Sequence, residues 1–175
     1  SNATANDIAF AFGNSNISIS KNGALTVEGE LTINSGSSVA LNSDSNEFSS
    51  LIVKGASSGN ITYNRYVNTV GANEWDLVGS PVGGLSISSF VTANSSSLAN
   101  NGSGTSALGE YNNANDTWSN HSSSAPLSGD LTLGKGYQMA SANGATLAFT
   151  GTVATSTQTQ SIINNNDSSG RRWNL

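Results

Sequence analysis

The sequence predicts an all-β protein: a jelly-roll-like β-sandwich preceded by a short segment that is either β-solenoid-like or a meander. Three observations carry this expectation. Apolar residues come in short triplets with a two-residue period, which is the spacing of strands and not of helices. Ser, Asn, Gly and Thr form about half of the 175 residues and cluster between the triplets, where turns are required. Runs of helix-forming residues are nearly absent, so helix is expected over less than about a tenth of the chain.

Ser1-Asn2-Ala3 matches the remnant of a cleaved purification tag and is set apart from the fold. Residues 4–67 are expected to form the solenoid-like segment. Its triplets are Ile17-Ser18-Ile19, Leu25-Thr26-Val27, Leu31-Thr32-Ile33, Val39-Ala40-Leu41, Leu51-Ile52-Val53 and Ile61-Thr62-Tyr63. Over 25–33 the alternation is strict, with Leu25, Val27, Leu31 and Ile33 on one side and Glu28 and Glu30 on the other. Leu31 to Leu51 and Leu41 to Ile61 are both intervals of 20 residues, near the length of one solenoid coil. An antiparallel meander accounts for the same triplets equally well.

Residues 68–175 are expected to form the sandwich, truncated at its C-terminal end. Strands are expected over 61–67 and 75–78, and one short helix within 86–98. Tyr111 and Trp118 flank the polar run 112–116 as a hairpin. Asn143-Gly144, between the strand-like runs 136–140 and 145–149, predicts a second hairpin with Gln138 opposite Phe149. Trp75, beside Leu77 and Val78, is expected in the core. Its phrase Glu74-Trp75-Asp76-Leu77 is echoed by Arg172-Trp173-Asn174-Leu175, which suggests a tandem architecture cut within its second unit and a last strand over 171–175.

Composition narrows the function. Net charge is −5, and without a basic patch the attraction that drives nucleic-acid binding is missing. No apolar run reaches membrane-spanning length, so membrane insertion is not expected. With no Cys and one His, a zinc site is excluded and no cofactor is expected. Gly129-Asp130-Leu131-Thr132-Leu133-Gly134-Lys135 has the spacing of a phosphate-binding loop. It is followed by Gly136 and a strand, not by Ser or Thr and a helix, so it fails as one. Gly102-Ser103-Gly104 lacks the strand and helix that a dinucleotide site requires. His121, among Asn and Ser, is expected to be surface. The oxygen-rich runs 42–47 and 112–116 are expected to form Asx turns before calcium sites. The remaining candidates are aromatic. Tyr111 and Trp118, exposed across a polar loop, are the residues placed to stack on a sugar.

The run from Asn60 to Leu175 resembles a module of large secreted surface proteins of gliding Bacteroidetes. The matching phrases are Asn64-Arg65-Tyr66-Val67, Trp75-Asp76-Leu77-Val78-Gly79-Ser80-Pro81, Gly134-Lys135-Gly136-Tyr137, Leu147-Ala148-Phe149-Thr150-Gly151 and Arg172-Trp173-Asn174-Leu175. The resemblance implies adhesin-like type IX secretion cargo at the outer cell surface or outside the cell. It transfers no catalytic residue. The expectation is a non-enzymatic segment for surface display and adhesion, with an extracellular glycan as its partner. The alternatives are a spacer for an enzyme elsewhere in the parent chain and a glycoside hydrolase built on paired carboxylates such as Glu28 and Glu30.

Overall fold

A computed structural model describes residues 2–10, 14–71, 74–163 and 174. The described residues are mostly strand and turn, with one short helix. The first nine strands run in chain order: β1 (Asn2–Ala5), β2 (Ile8–Ala9), β3 (Asn16–Ile19), β4 (Ala24–Val27), β5 (Leu31–Thr32), β6 (Ser38–Asn42), β7 (Ser50–Val53), β8 (Ser57–Ser58) and β9 (Ile61–Val67). All pairings among them are parallel, in three stacks: β1-β4-β7, β2-β5-β8 and β3-β6-β9. This is a three-sided coil, so the solenoid alternative holds and the meander does not. The expected 20-residue repeat is corrected. Asn2 pairs with Ala24 and Ala24 with Ser50, which makes the steps 22 and 26 residues. Leu31 lies opposite Ser57, and Leu41 opposite Tyr63. The longer step comes from the turn 44–47, closed by a bridge between Ser43 and Phe48.

The apolar triplets fill the coil. Val27, Leu31, Ile33, Val39, Leu41 and Val53 are buried, and Glu28 and Glu30 are exposed, as the alternation predicts. However, 25–33 is not one strand. The chain turns a corner at Gly29, where any Cβ would fall 1.9 Å from Asp7 Oδ1. Strands β4 and β5 therefore lie on adjacent sides, and Glu28 and Glu30 flank a corner instead of sharing a strand face. Polar side chains stack in register too. Asn64 Nδ2 donates to Asn42 Oδ1 (3.0 Å), and Asn42 Nδ2 donates to Ser18 Oγ and the Ile19 carbonyl. Repeating one residue type at one coil position lets each amide satisfy the next.

Strand β9 joins the coil to the rest. One edge pairs with β6, and the other pairs antiparallel with β14 (Ala145–Gly151) along its full length, from Val67–Ala145 to Ile61–Gly151. The remaining strands are β10 (Asp76–Gly79), β11 (Thr105–Asn112), β12 (Thr117–Ser122) and β13 (Gly136–Met139), in a separate sheet of order β10-β13-β11-β12. The helix expected within 86–98 is α1 (Ile87–Ala93), capped by Ser86, whose side chain accepts from the Ser89 N–H (3.1 Å). It rests on β14 through Phe90 and Phe149, with ring centroids 4.7 Å apart. One continuous apolar core runs from Phe10, Val27 and Leu41 in the coil to Tyr137, Met139, Leu147 and Phe149.

The expected hairpin at Asn143-Gly144 does not form. Strand β13 pairs with β10 and β11, whereas β14 pairs with β9, so Gln138 lies opposite Leu77 and Gly109 and Phe149 lies opposite Tyr63. Gly144 does take a positive φ of 67°, but the turn carries the chain from one sheet to the other. Both strands deliver buried side chains to the same core from different sheets. Trp75 is also corrected: it is half-buried, packed against a small cluster of Ala99, Ala107 and Ala140, and it stands outside the main core. The strand expected over 171–175 lies outside the described residues apart from Asn174, whose side chain brackets the Ile163 N–H and carbonyl.

Candidate functional site

Strands β11 and β12 form the hairpin that the sequence predicts. Asn112 Oδ1 accepts from the Ala114 N–H (2.9 Å), and Asp116 takes a positive φ of 56° to close the turn. Tyr111 lies directly opposite Trp118, with ring centroids 5.3 Å apart and planes inclined by 54°. The Tyr111 hydroxyl donates to Asp116 Oδ1 at 2.7 Å, which fixes one ring of the pair. Trp118 remains 39% exposed, enough to present an indole face to a ligand.

The pair belongs to the outer face of the sheet. Cross-strand partners share a face, so Leu77, Gln138, Gly109 and Asn120 make the next row. Gln138 Nε2 donates to Asn120 Oδ1 (2.7 Å) across this row. Any Cβ at Gly109 would fall 2.4 Å from Asn120 Oδ1 and 2.6 Å from Gln138 Nε2. Glycine at 109 thus lets the two amides lie flat on the sheet. One row further, Trp75 covers Ala107 and Ala140. Sequence reasoning misplaced Trp75, although the two-residue period held the signal. Val78 is buried and Leu77 is exposed, so Trp75 shares the parity of the exposed side.

Beyond the hairpin lies an open cleft of about 700 Å³, lined by Glu110, Tyr111, Ser119, Leu127, Lys135 and Gln160 among others. Lys135 Nζ donates to Glu110 Oε1 (3.0 Å) and sits 5.3 Å from the Tyr137 ring centre. Both charged side chains are about a third exposed, so the pair contributes under about 1 kcal/mol and chiefly orients the two groups. Lys135 is therefore engaged with a carboxylate at the head of a strand, in keeping with the rejection of a phosphate loop at 129–135.

The other candidates are held apart. Glu28 pairs with Lys54 (2.7 Å) at a corner of the coil. His121 lies on β12, half-buried, with a buried Nδ1 that has no hydrogen-bond partner among the described residues, so it is not the exposed loop residue expected. Among the described residues no group of three or more His, Cys, Asp or Glu side chains could hold a metal ion. The run 42–47 is an Asx turn, as expected: Asp44 Oδ1 accepts from the Asn46 and Glu47 N–H groups, both at 2.9 Å, and its other oxygen meets Lys21.

The Lys21 hydrogen bond, together with these backbone donors, pulls the Asp44 carboxyl down to about 2 from 3.8. A carboxylate whose pKa is lowered by folding adds stability that is present above about 3.8 and lost as pH falls toward 2. Asp44→Asn is therefore expected to flatten the acid side of the melting-temperature profile between those pH values. An unchanged acid slope would show that the Asp44 contacts do not persist in solution.

No protein-family profile matches the chain, and neither a curated protein nor a solved structure shows significant similarity to it.

Proposed function

We propose that the chain is a non-catalytic, extracellular segment of a large surface protein, serving display and adhesion and binding glycan weakly through Tyr111 and Trp118. In this reading the C-terminal part is a β-sandwich, its two layers being the sheets that contain β13 and β14. The observation that carries the proposal is the ring pair itself: two aromatic side chains in register on an exposed sheet face, one of them fixed by its hydroxyl. Pyranose rings present flat C–H surfaces, and an exposed indole packed against a phenol ring that is already held in place offers them an apolar face.

The experiment is a glycan array on the wild-type protein and on Trp118→Ala. At least one glycan class is expected to bind, and its affinity is expected to fall by about tenfold in the variant, equivalent to about 1.4 kcal/mol. Trp118 lies on an exposed hairpin, so the melting temperature should hardly move. Binding that survives Trp118→Ala, or an array with no signal, counts against the proposal.

A second reading is a spacer that positions an enzyme elsewhere in the parent chain. It is favoured by the shared core and by β9, which pairs with the coil on one edge and with β14 on the other. An array with no signal supports this reading over adhesion.

A further inference from the structure

We propose that the groove beside Trp75 is a second sugar subsite, so that the outer face of the β10-β13-β11-β12 sheet binds one extended oligosaccharide. The inference rests on the reading of Tyr111 and Trp118 as a sugar platform and adds the length of the ligand and its second point of attachment.

The groove holds about 360 Å³. Its apolar side is the Trp75 ring with Ala99, Ala107 and Val70, the last 43% exposed. Its polar rim is three asparagines whose side-chain oxygens are already committed. Asn100 Oδ1 accepts from the Gly102 N–H (3.0 Å), and Asn101 Oδ1 accepts from the Ser103 and Thr105 N–H groups at 2.9 and 3.0 Å. Asn120 Oδ1 accepts from Gln138 Nε2 (2.7 Å). Each amide is thereby oriented, and each retains the two hydrogens of its Nδ2 for a ligand. The hydroxyls of Thr105 and Ser106 add donors that also accept. Among the described residues, no charged side chain lines the groove. A ring to stack on, neutral donors held in place and no charge together select a neutral, oxygen-rich, flat-faced ligand. A pyranose meets these requirements, whereas a phosphate or carboxylate lacks a cation to balance it.

The groove and the ring pair are linked by strand register. Trp75 stands two residues from Leu77, in the row Leu77–Gln138–Gly109–Asn120. Tyr111 stands two residues from Gly109 in the opposite direction, because β10 and β11 both run antiparallel to β13. The two aromatic positions are thus four residues apart along the strands, about 13 Å, and two strands apart across the sheet, about 10 Å. Along β11 the ground between them is low, since Gly109 lacks a side chain and the Gln138–Asn120 amides lie flat across it. A monosaccharide cannot reach both ends, whereas an extended chain of sugars can.

The test is a titration of ¹⁵N-labelled protein with cellohexaose, chitohexaose and mannohexaose and with the matching disaccharides, reading the indole N–H signals of Trp75 and Trp118. In at least one series the hexasaccharide is expected to move both signals and to bind at least about tenfold more tightly than its disaccharide. Trp75→Ala is then expected to reduce hexasaccharide affinity to the disaccharide level. A hexasaccharide that moves Trp118 alone and gains nothing from its length overturns the second subsite and leaves the first standing. Movement of Trp75 alone overturns the two-point binding and the Tyr111–Trp118 platform together, as does the absence of binding in every series. The wild-type signals decide the matter even if Trp75→Ala folds poorly.

Discussion

Gly59→Ala is expected to destabilise the protein by about 2–5 kcal/mol, the sum of two penalties that fall on one methyl group. Gly59 sits at the corner between β8 and β9 with φ +82°, a left-handed backbone that costs a side-chain-bearing residue about 1–2 kcal/mol. The added Cβ would also lie 2.2 Å from the carbonyl oxygen of Ile33 and 2.8 Å from its Cβ, in the coil stacked beside it. Neither atom is the end of a flexible side chain, so the coils must separate locally, and overpacking of this kind costs about 1–3 kcal/mol. Gly102→Ala separates the two effects. Gly102 has a similar φ of +71° with nothing within 4 Å of its would-be Cβ, so it should lose only the conformational part. Urea midpoints measure both. Equal losses at the two positions would show that the coils are not in contact at this corner.

Asn94→Ala is expected to cost about 2–3 kcal/mol, through hydrogen bonds and not through packing volume. Asn94 ends α1 and is 4% exposed. Its Oδ1 accepts from the Ala148 N–H (2.7 Å), and its Nδ2 donates to the Ala148 carbonyl (3.0 Å) and the Phe90 carbonyl (2.9 Å). The side-chain amide behaves as one residue of an additional strand, closing the edge of β14 at the point where the helix docks. Alanine leaves the Ala148 N–H and carbonyl without partners in a partly buried place, whereas the Phe90 carbonyl keeps the Asn94 backbone N–H (3.1 Å). Asn94→Asp adds a signature that a packing role would not produce. A carboxylate can still accept from Ala148 but faces two carbonyl oxygens, so its pKa in the folded state is raised. Stability should then be restored as pH falls below that value and lost as pH rises through it. A variant with no pH dependence relative to wild type would refute this docking.

The elements that were legible in the sequence are those specified by neighbours along the chain. The two-residue period marked the strands and the buried side of Val27, Leu31 and Ile33, because alternate side chains point to opposite sides whatever the strand pairs with. The polar run between Tyr111 and Trp118 closes on itself, so that hairpin and its cross-strand ring pair followed from local turn chemistry. The stretch 86–98 was likewise legible as the place of a short helix, although its cap at Ser86 emerged only in the structure. Asn143-Gly144 shows where such reasoning stops. The dipeptide encodes a backbone that tolerates positive φ, and Gly144 adopts it, but a turn residue does not specify which strand its neighbours will pair with. Tyr137, Met139, Leu147 and Phe149 are all apolar enough to be buried, and a hairpin or a crossover between sheets buries them equally.

The sequence by itself determined that this chain is built of short strands, which side of 25–33 is apolar and which stretch holds a short helix. The tertiary structure decided what those strands pair with: parallel stacking into coils of 22 and 26 residues, a strand shared between coil and later sheets, and the assignment of β13 and β14 to different sheets. It also decided that Trp75 lies on an outer sheet face beside Asn100, Asn101 and Asn120. The physical reason is that periodicity and turn preference are properties of adjacent residues. Register, by contrast, is selected by which long-range pairing buries the most apolar surface while leaving the fewest backbone groups unpaired.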